Sequence, residues 1–195
     1  MSEQQQPPTD AQPPTQPPPR ATERVPSLVV LNTGEGKGKS TAAFGTVLRA
    51  IGRGWKVCVI QFLKSESWKT GEEKAAREAG VDWWTLGDGF TWDSEDMDRT
   101  EAVAREAWRI ASEKITSGAY QLVVLDELTY PITWGWLDAA EVVGTIRARP
   151  EHVNIIITGR DADPALVELA DTATEMRKLK HAYDRGIMAM KGIDF

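Results

Sequence analysis

The segment with the clearest chemical meaning is GEGKGKST, Gly34 to Thr41, which follows the apolar run LVVLN and precedes a stretch with helical spacing. Small residues at Gly34, Gly36 and Gly38 let backbone N–H groups turn toward phosphate oxygens. Lys39 supplies a point charge, and the hydroxyl of Ser40 or Thr41 can ligate Mg²⁺. The spacing G-x-x-x-x-G-K-[ST] would need glycine at position 33, where this chain has Thr33; counted from Gly34, the loop is one residue short. The dinucleotide pattern G-x-G-x-x-G fails, because Gly34 and Gly36 would need a third glycine where Lys39 stands.

The second signal is LVVLDE, Leu122 to Glu127, an apolar strand pattern ending in two carboxylates. Ligands of open α/β sheets collect at the carboxyl ends of strands, so Asp126 or Glu127 can hold Mg²⁺ directly or through water. Arg160, in TGRDADP, falls at the same sheet edge. It either faces a nucleotide or belongs to a helix-capping turn made by Asp161 and Asp163. His152, His181 and Cys58 are too few and too scattered for a structural zinc set. The stretch DWWTLGDGFTW places Trp83 or Trp84 in a core strand. Phe90 and Trp92 follow GDG on a loop, where large aromatics are placed to cover something flat or apolar, with core packing as the alternative.

Short β-branched runs alternating with helical stretches position these residues. Strands are predicted at Leu28 to Asn32, Trp55 to Leu63, Val81 to Leu86, Leu122 to Asp126 and Val153 to Thr158. Helices are predicted at Ser40 to Arg53, Lys69 to Ala79, Ser94 to Thr116, Asp138 to Arg149 and Pro164 to Ala170. In the third, Ser94 is the cap and Val103, Ala107, Ile110, Ala111 and Ile115 form the apolar stripe. The alternation indicates an α/β fold, a mostly parallel sheet with helices on both faces, of P-loop NTPase (RecA-like) architecture.

Eight of the 11 prolines fall within residues 1–26, a Gln/Pro/Thr-rich stretch with little to bury, read as a disordered tail ahead of one domain over residues 27–195. With 23 Lys+Arg against 29 Asp+Glu and a net charge of −6, a broad basic surface for nucleic acid is disfavoured. No apolar run approaches the roughly 20 residues of a membrane span, and the N-terminus lacks a signal-peptide pattern. The single cysteine, Cys58, sits in an apolar run, which fits a reducing cytoplasm.

Taken together, GEGKGKST, VIQFLK (Val59 to Lys64), GDGFTW (Gly87 to Trp92), LDELTY (Leu125 to Tyr130), IIITGR (Ile155 to Arg160) and the terminal KGIDF resemble the P-loop ATP:corrinoid adenosyltransferases over Leu28 to Phe195. The resemblance implies transfer of the 5′-deoxyadenosyl group of ATP to the Co(I) centre of a reduced corrinoid, with triphosphate leaving. It also implies a nucleotide lying in the reverse of the ordinary P-loop direction. ATP contacts would fall on Gly34, Glu35, Gly36, Lys37, Gly38, Lys39, Ser40, Thr41 and Arg160, and a metal, Mg²⁺ or Mn²⁺, on Ser40, Asp126 and Glu127. Lys39, Phe90 and Trp92 are the implied catalytic residues, the two aromatics lying against the corrin. The implied partners are ATP, reduced corrinoid, an electron-donating reductase and a second copy in a homodimer. An ordinary P-loop ATPase or kinase, and a nucleotide-gated interaction protein, stay open as readings of the loop.

Overall fold

The computed structural model describes residues 21–64, 70–87 and 97–194. Six strands form one sheet: β1 (Val29–Thr33), β2 (Val57–Phe62), β3 (Asp82–Leu86), β4 (Leu122–Asp126), β5 (Asn154–Thr158) and β6 (Thr172–Glu175). Their order is β3-β2-β4-β5-β1-β6, and every pairing is parallel. The helices are α1 (Lys39–Ile51), α2 (Gly71–Glu78), α3 (Met97–Thr116), α4 (Thr129–Thr133), α5 (Ala139–Arg147) and α6 (Pro164–Leu169).

The central strands β2 and β4 lack polar alternation because both faces are covered. Along β2, Val57 and Val59 pack with Ala43, Phe44 and Val47 of α1 and Ala76 of α2. Cys58, Ile60 and Phe62 pack on the opposite side with Ala107, Ala111 and Ile115 of α3 and Val142 and Ile146 of α5. Every residue of β2 and β4 is buried, and burial pushes the Cys58 thiol pKa well up, so it stays a small inert hydrophobe. Phe44 meets Trp83 with ring centroids 5.1 Å apart, fixing α1 against β3.

Three features depart from the sequence expectation. The sixth strand, TATE, has four exposed residues and no apolar run to announce it; it exists because β1 offers a free edge. The short helix α4 follows the β4 carboxylates without a periodic pattern. The buried stripe of α3 runs through Thr100, Ala104, Ala107, Trp108, Ala111 and Ile115, whereas Val103 and Ile110 are only half-buried. Small alanines let the helix lie close to the sheet, and the Trp108 indole N–H donates to Glu141 Oε1 of α5 at 2.9 Å. Ser94, the expected cap of this helix, lies outside the described residues.

Because all six strands run in parallel, the segments after β1, β2, β4, β5 and β6 emerge at one sheet edge. That edge brings together residues 34–39, 63–64, 127, 159–160 and 176, otherwise remote in sequence.

Candidate active site

Gly34 and Gly38 take left-handed φ values of 91° and 117°, which a side chain would resist, and Gly38 is the N-cap of α1. No side chain caps this helix and no acid lies in its first turn, so its positive end is open to an anion. Gly36 is required for another reason: a Cβ there would lie 2.6 Å from the carbonyl oxygen of Met176, the residue after β6. That carbonyl accepts the Gly36 N–H. Lys39 folds back over its own loop and donates from Nζ to the carbonyls of Gly34 (2.7 Å) and Gly36 (2.8 Å). Its burial lowers the ammonium pKa from the ordinary lysine value.

A cavity of about 190 Å³ opens at this helix end, lined by Lys37, Lys39, Ser40, Lys64, Glu127 and Asp194 among others. The two β4 carboxylates differ sharply. Asp126 is fully buried; its Oδ1 accepts the Thr158 hydroxyl at 2.7 Å, and its Oδ2 accepts Gln61 Nε2 and Lys64 Nζ, each at 2.9 Å. Burial opposes its ionisation, but Lys64 and the hydrogen bonds from Lys64, Ser40 and Thr158 hold its pKa below the usual carboxylate range.

Glu127 Oε2 is buried and, among the described residues, unpartnered. Burial, reinforced by the Asp126 charge, pushes the Glu127 pKa up to about 7 against the pull of Lys64, Lys39 and Arg160. Glu127, with its orphaned carboxylate oxygen, and the Ser40 hydroxyl line the same cavity and are hard oxygen donors of the kind Mg²⁺ or Mn²⁺ takes, with the remaining positions left to phosphate and water. Asp126 already has both oxygens engaged, with Ser40 and Lys64 among its partners, which leaves Glu127 the carboxylate that could take a metal.

Arg160 reaches the phosphate-loop side of the sheet edge, and of the two acids after it Asp163 is the helix cap. The Arg160 guanidinium crosses from the β5 edge to Glu35 Oε2 of the loop at 3.0 Å, while Asp163 caps α6 by accepting the Ala165 N–H at 2.8 Å. The backbone after β5 is locked from below: Thr129 Oγ1 donates to the Arg160 carbonyl, and a Cβ at Gly159 would collide with that hydroxyl.

The fold therefore gathers Gly34 to Thr41, Asp126, Glu127 and Arg160 at one edge. Phe90 and Trp92 lie outside the described residues. Trp83 is buried and donates its indole N–H to Gln61 Oε1 at 3.0 Å, and Trp84 is half-buried. His152 pairs with the Gly118 carbonyl and His181 with the Tyr183 N–H, and neither lines the cavity. Among the described residues no three His, Cys, Asp or Glu side chains cluster as a ready-made metal centre.

Sequence reasoning gave no role to Gln61, Lys64, Thr158 or Asp194. The signal for the first and third was a polar residue inside an otherwise apolar strand end, VCVIQF and NIIIT. Asp194 is held by Lys37 at 2.8 Å and by the Met190 N–H.

The profile of the family described as ATP:corrinoid adenosyltransferase BtuR/CobO/CobP matches residues 26–195. A corrinoid adenosyltransferase of Escherichia coli K12 is 42% identical over 168 residues, covering 86% of this chain and 85% of its own length. One from Pseudomonas aeruginosa is 43% identical over 170 residues, covering 86% and 83%. The corrinoid adenosyltransferase CobA of Salmonella typhimurium is 40% identical over 168 residues, covering 86% and 85%.

Proposed function

This chain belongs to the ATP:corrinoid adenosyltransferase family BtuR/CobO/CobP, and from that premise we propose how its own residues carry out ATP-dependent adenosylation of a corrinoid in cobalamin biosynthesis. The observation that carries the reading is the cavity at the open end of α1, lined together by Lys39, Ser40 and Glu127, whose carboxylate keeps an unpartnered oxygen.

In the reaction, the Co(I) centre of the substrate donates an electron pair to ribose C5′. The Co–C bond forms, the C5′–O bond breaks, and its electron pair leaves on triphosphate; cobalt ends formally as Co(III). The attacking pair already exists, so no general base is needed, and the protein's task is alignment and stabilisation of the departing charge. The α1 amides and Lys39 hold the triphosphate at the short loop, with Lys39 exchanging its Gly34 and Gly36 carbonyl partners for phosphate oxygens. Glu127 and Ser40 would hold Mg²⁺ or Mn²⁺, which when bound neutralises phosphate charge. Arg160, tethered by Glu35, borders the same edge.

Phe90 and Trp92 are assigned to the lower face of the corrin, where apolar rings exclude an axial ligand. An external reductase supplies the electron that makes Co(I), and the working form is a homodimer in the cytoplasm. Among the described residues no helix is long and apolar enough to cross a membrane.

The test is an anaerobic incubation with ATP, Mg²⁺ and pre-reduced corrinoid, read by the corrinoid spectrum and by phosphate products. Equimolar triphosphate and alkylated corrinoid are expected. Release of ADP would instead mark an ordinary ATPase or kinase, and no turnover would mark a nucleotide-gated binding protein.

A further inference from the structure

The cavity holds a second, half-buried ammonium besides Lys39. Lys64 emerges from the carboxyl end of β2, after Leu63, whose φ of 65° turns the chain sharply at the strand end. A Cβ at Gly87 would lie 2.4 Å from the Leu63 carbonyl carbon, so the segments after β2 and β3 are in close contact there. The Lys64 side chain is 20% exposed and lines the same cavity as Lys39 and Ser40. Among the described residues its one hydrogen bond goes to Asp126 Oδ2, at 2.9 Å. An ammonium carries three donors, so two remain for a ligand.

Asp126 is itself fixed by Gln61 and Thr158, and Gln61 in turn accepts the Trp83 indole N–H. The ammonium is thus preset by a buried chain of hydrogen bonds. By contrast, Lys37 is 46% exposed and is paired with Asp194. A fixed, largely desolvated cation at the edge of an anion pocket is what a reaction that expels a highly charged leaving group can use.

We propose that Lys64 is a further catalytic residue, a second cation that contacts the triphosphate as the C5′–O bond breaks, and that Asp126 is its positioning residue. This rests on the adenosyl-transfer reading above. The electron pair released to the leaving oxygen places new negative charge on triphosphate, and Lys64 stabilises that charge through hydrogen bonds without transferring its proton. The alternative is that Lys64 serves only as the counter-ion of buried Asp126.

The experiment compares wild-type full chain, K64M, D126N and K64M/D126N. Each is titrated with inorganic triphosphate in chelator and assayed for turnover from pre-reduced Co(I) corrinoid. Expected is a loss of triphosphate affinity of about tenfold or more in K64M, with kcat down by about 100-fold. The double variant removes the unpaired buried carboxylate and so folds even if K64M does not. Its triphosphate affinity should stay about tenfold or more below that of D126N alone. Equal affinity of K64M/D126N and D126N would overturn the proposal and leave Lys64 a counter-ion. A wild-type protein that alkylates no corrinoid would instead overturn the functional reading on which the proposal rests.

Discussion

Thr158 donates its hydroxyl hydrogen to Asp126 Oδ1 across the β4–β5 pairing, at 2.7 Å, and its own Oγ1 accepts the Glu127 N–H at 3.0 Å. One hydroxyl thus settles both carboxylate residues at the end of β4, including Glu127 with its left-handed φ of 64°.

Replacing this hydroxyl by a methyl in Thr158→Val keeps the volume and removes both bonds. The expected cost is roughly 1–3 kcal/mol of folding stability, since a buried acceptor and an N–H lose their partner. Urea unfolding measures it; a variant as stable as the parent would show that water replaces the hydroxyl.

Lys39→Ala should lower turnover by orders of magnitude while the fold stays intact. Its two bonds go to neutral carbonyls of its own loop, so the lost charge matters far more to triphosphate than to packing. Triphosphate release and a thermal melt, measured side by side, check this; near-parental turnover would remove the phosphate role of the loop.

Glu127 gives a pH dependence with a definite sign. Its folded pKa of about 7 is above the unfolded carboxylate value, so the folded state binds the proton more tightly. The stability tied to that proton is fully present below about pH 4.5 and is lost as pH rises through about 7. In chelator, the parent should therefore lose stability between pH 5 and 8, and Glu127→Gln should flatten that part of the profile. Glu127→Ala and Ser40→Ala should each raise the Mg²⁺ concentration needed for turnover. An unchanged metal requirement in both would remove them as ligands.

For Phe90→Ala and Trp92→Ala, most activity should be lost when the substrate enters as Co(II), and much of it retained from chemically reduced Co(I). Ligand exclusion matters for reduction and not for the later alkylation. Equal losses from both cobalt states, with a lowered melting temperature, would identify the two rings as core.

How far these roles were legible in the sequence depended on whether a residue announced itself locally. The phosphate loop did, through glycines and Lys39 between a strand and a helix, and so did the five apolar strands. The sixth strand did not, because Thr172 to Glu175 carries no apolar pattern and is held by backbone pairing to β1. Asp126 and Glu127 read as an undivided pair. Telling them apart needs Lys64, Gln61 and Thr158, which arrive from two other strands and have no sequence proximity to either. Lys64 ends a motif that resembled the family, yet nothing in VIQFLK says that its ammonium would face Asp126 rather than solvent.

Met176 carries a consequence for how the loop keeps its shape. The Gly36 amide is tied to a carbonyl just beyond the least buried strand of the sheet, an edge strand whose other side pairs with no strand among the described residues. Edge elements with few apolar contacts open first in native-state fluctuations. Hydrogen exchange at Gly36 should therefore keep time with fraying of Thr172 to Glu175. Substitutions on that exposed rim, far from any substrate atom, should be felt as a loosening of the phosphate loop.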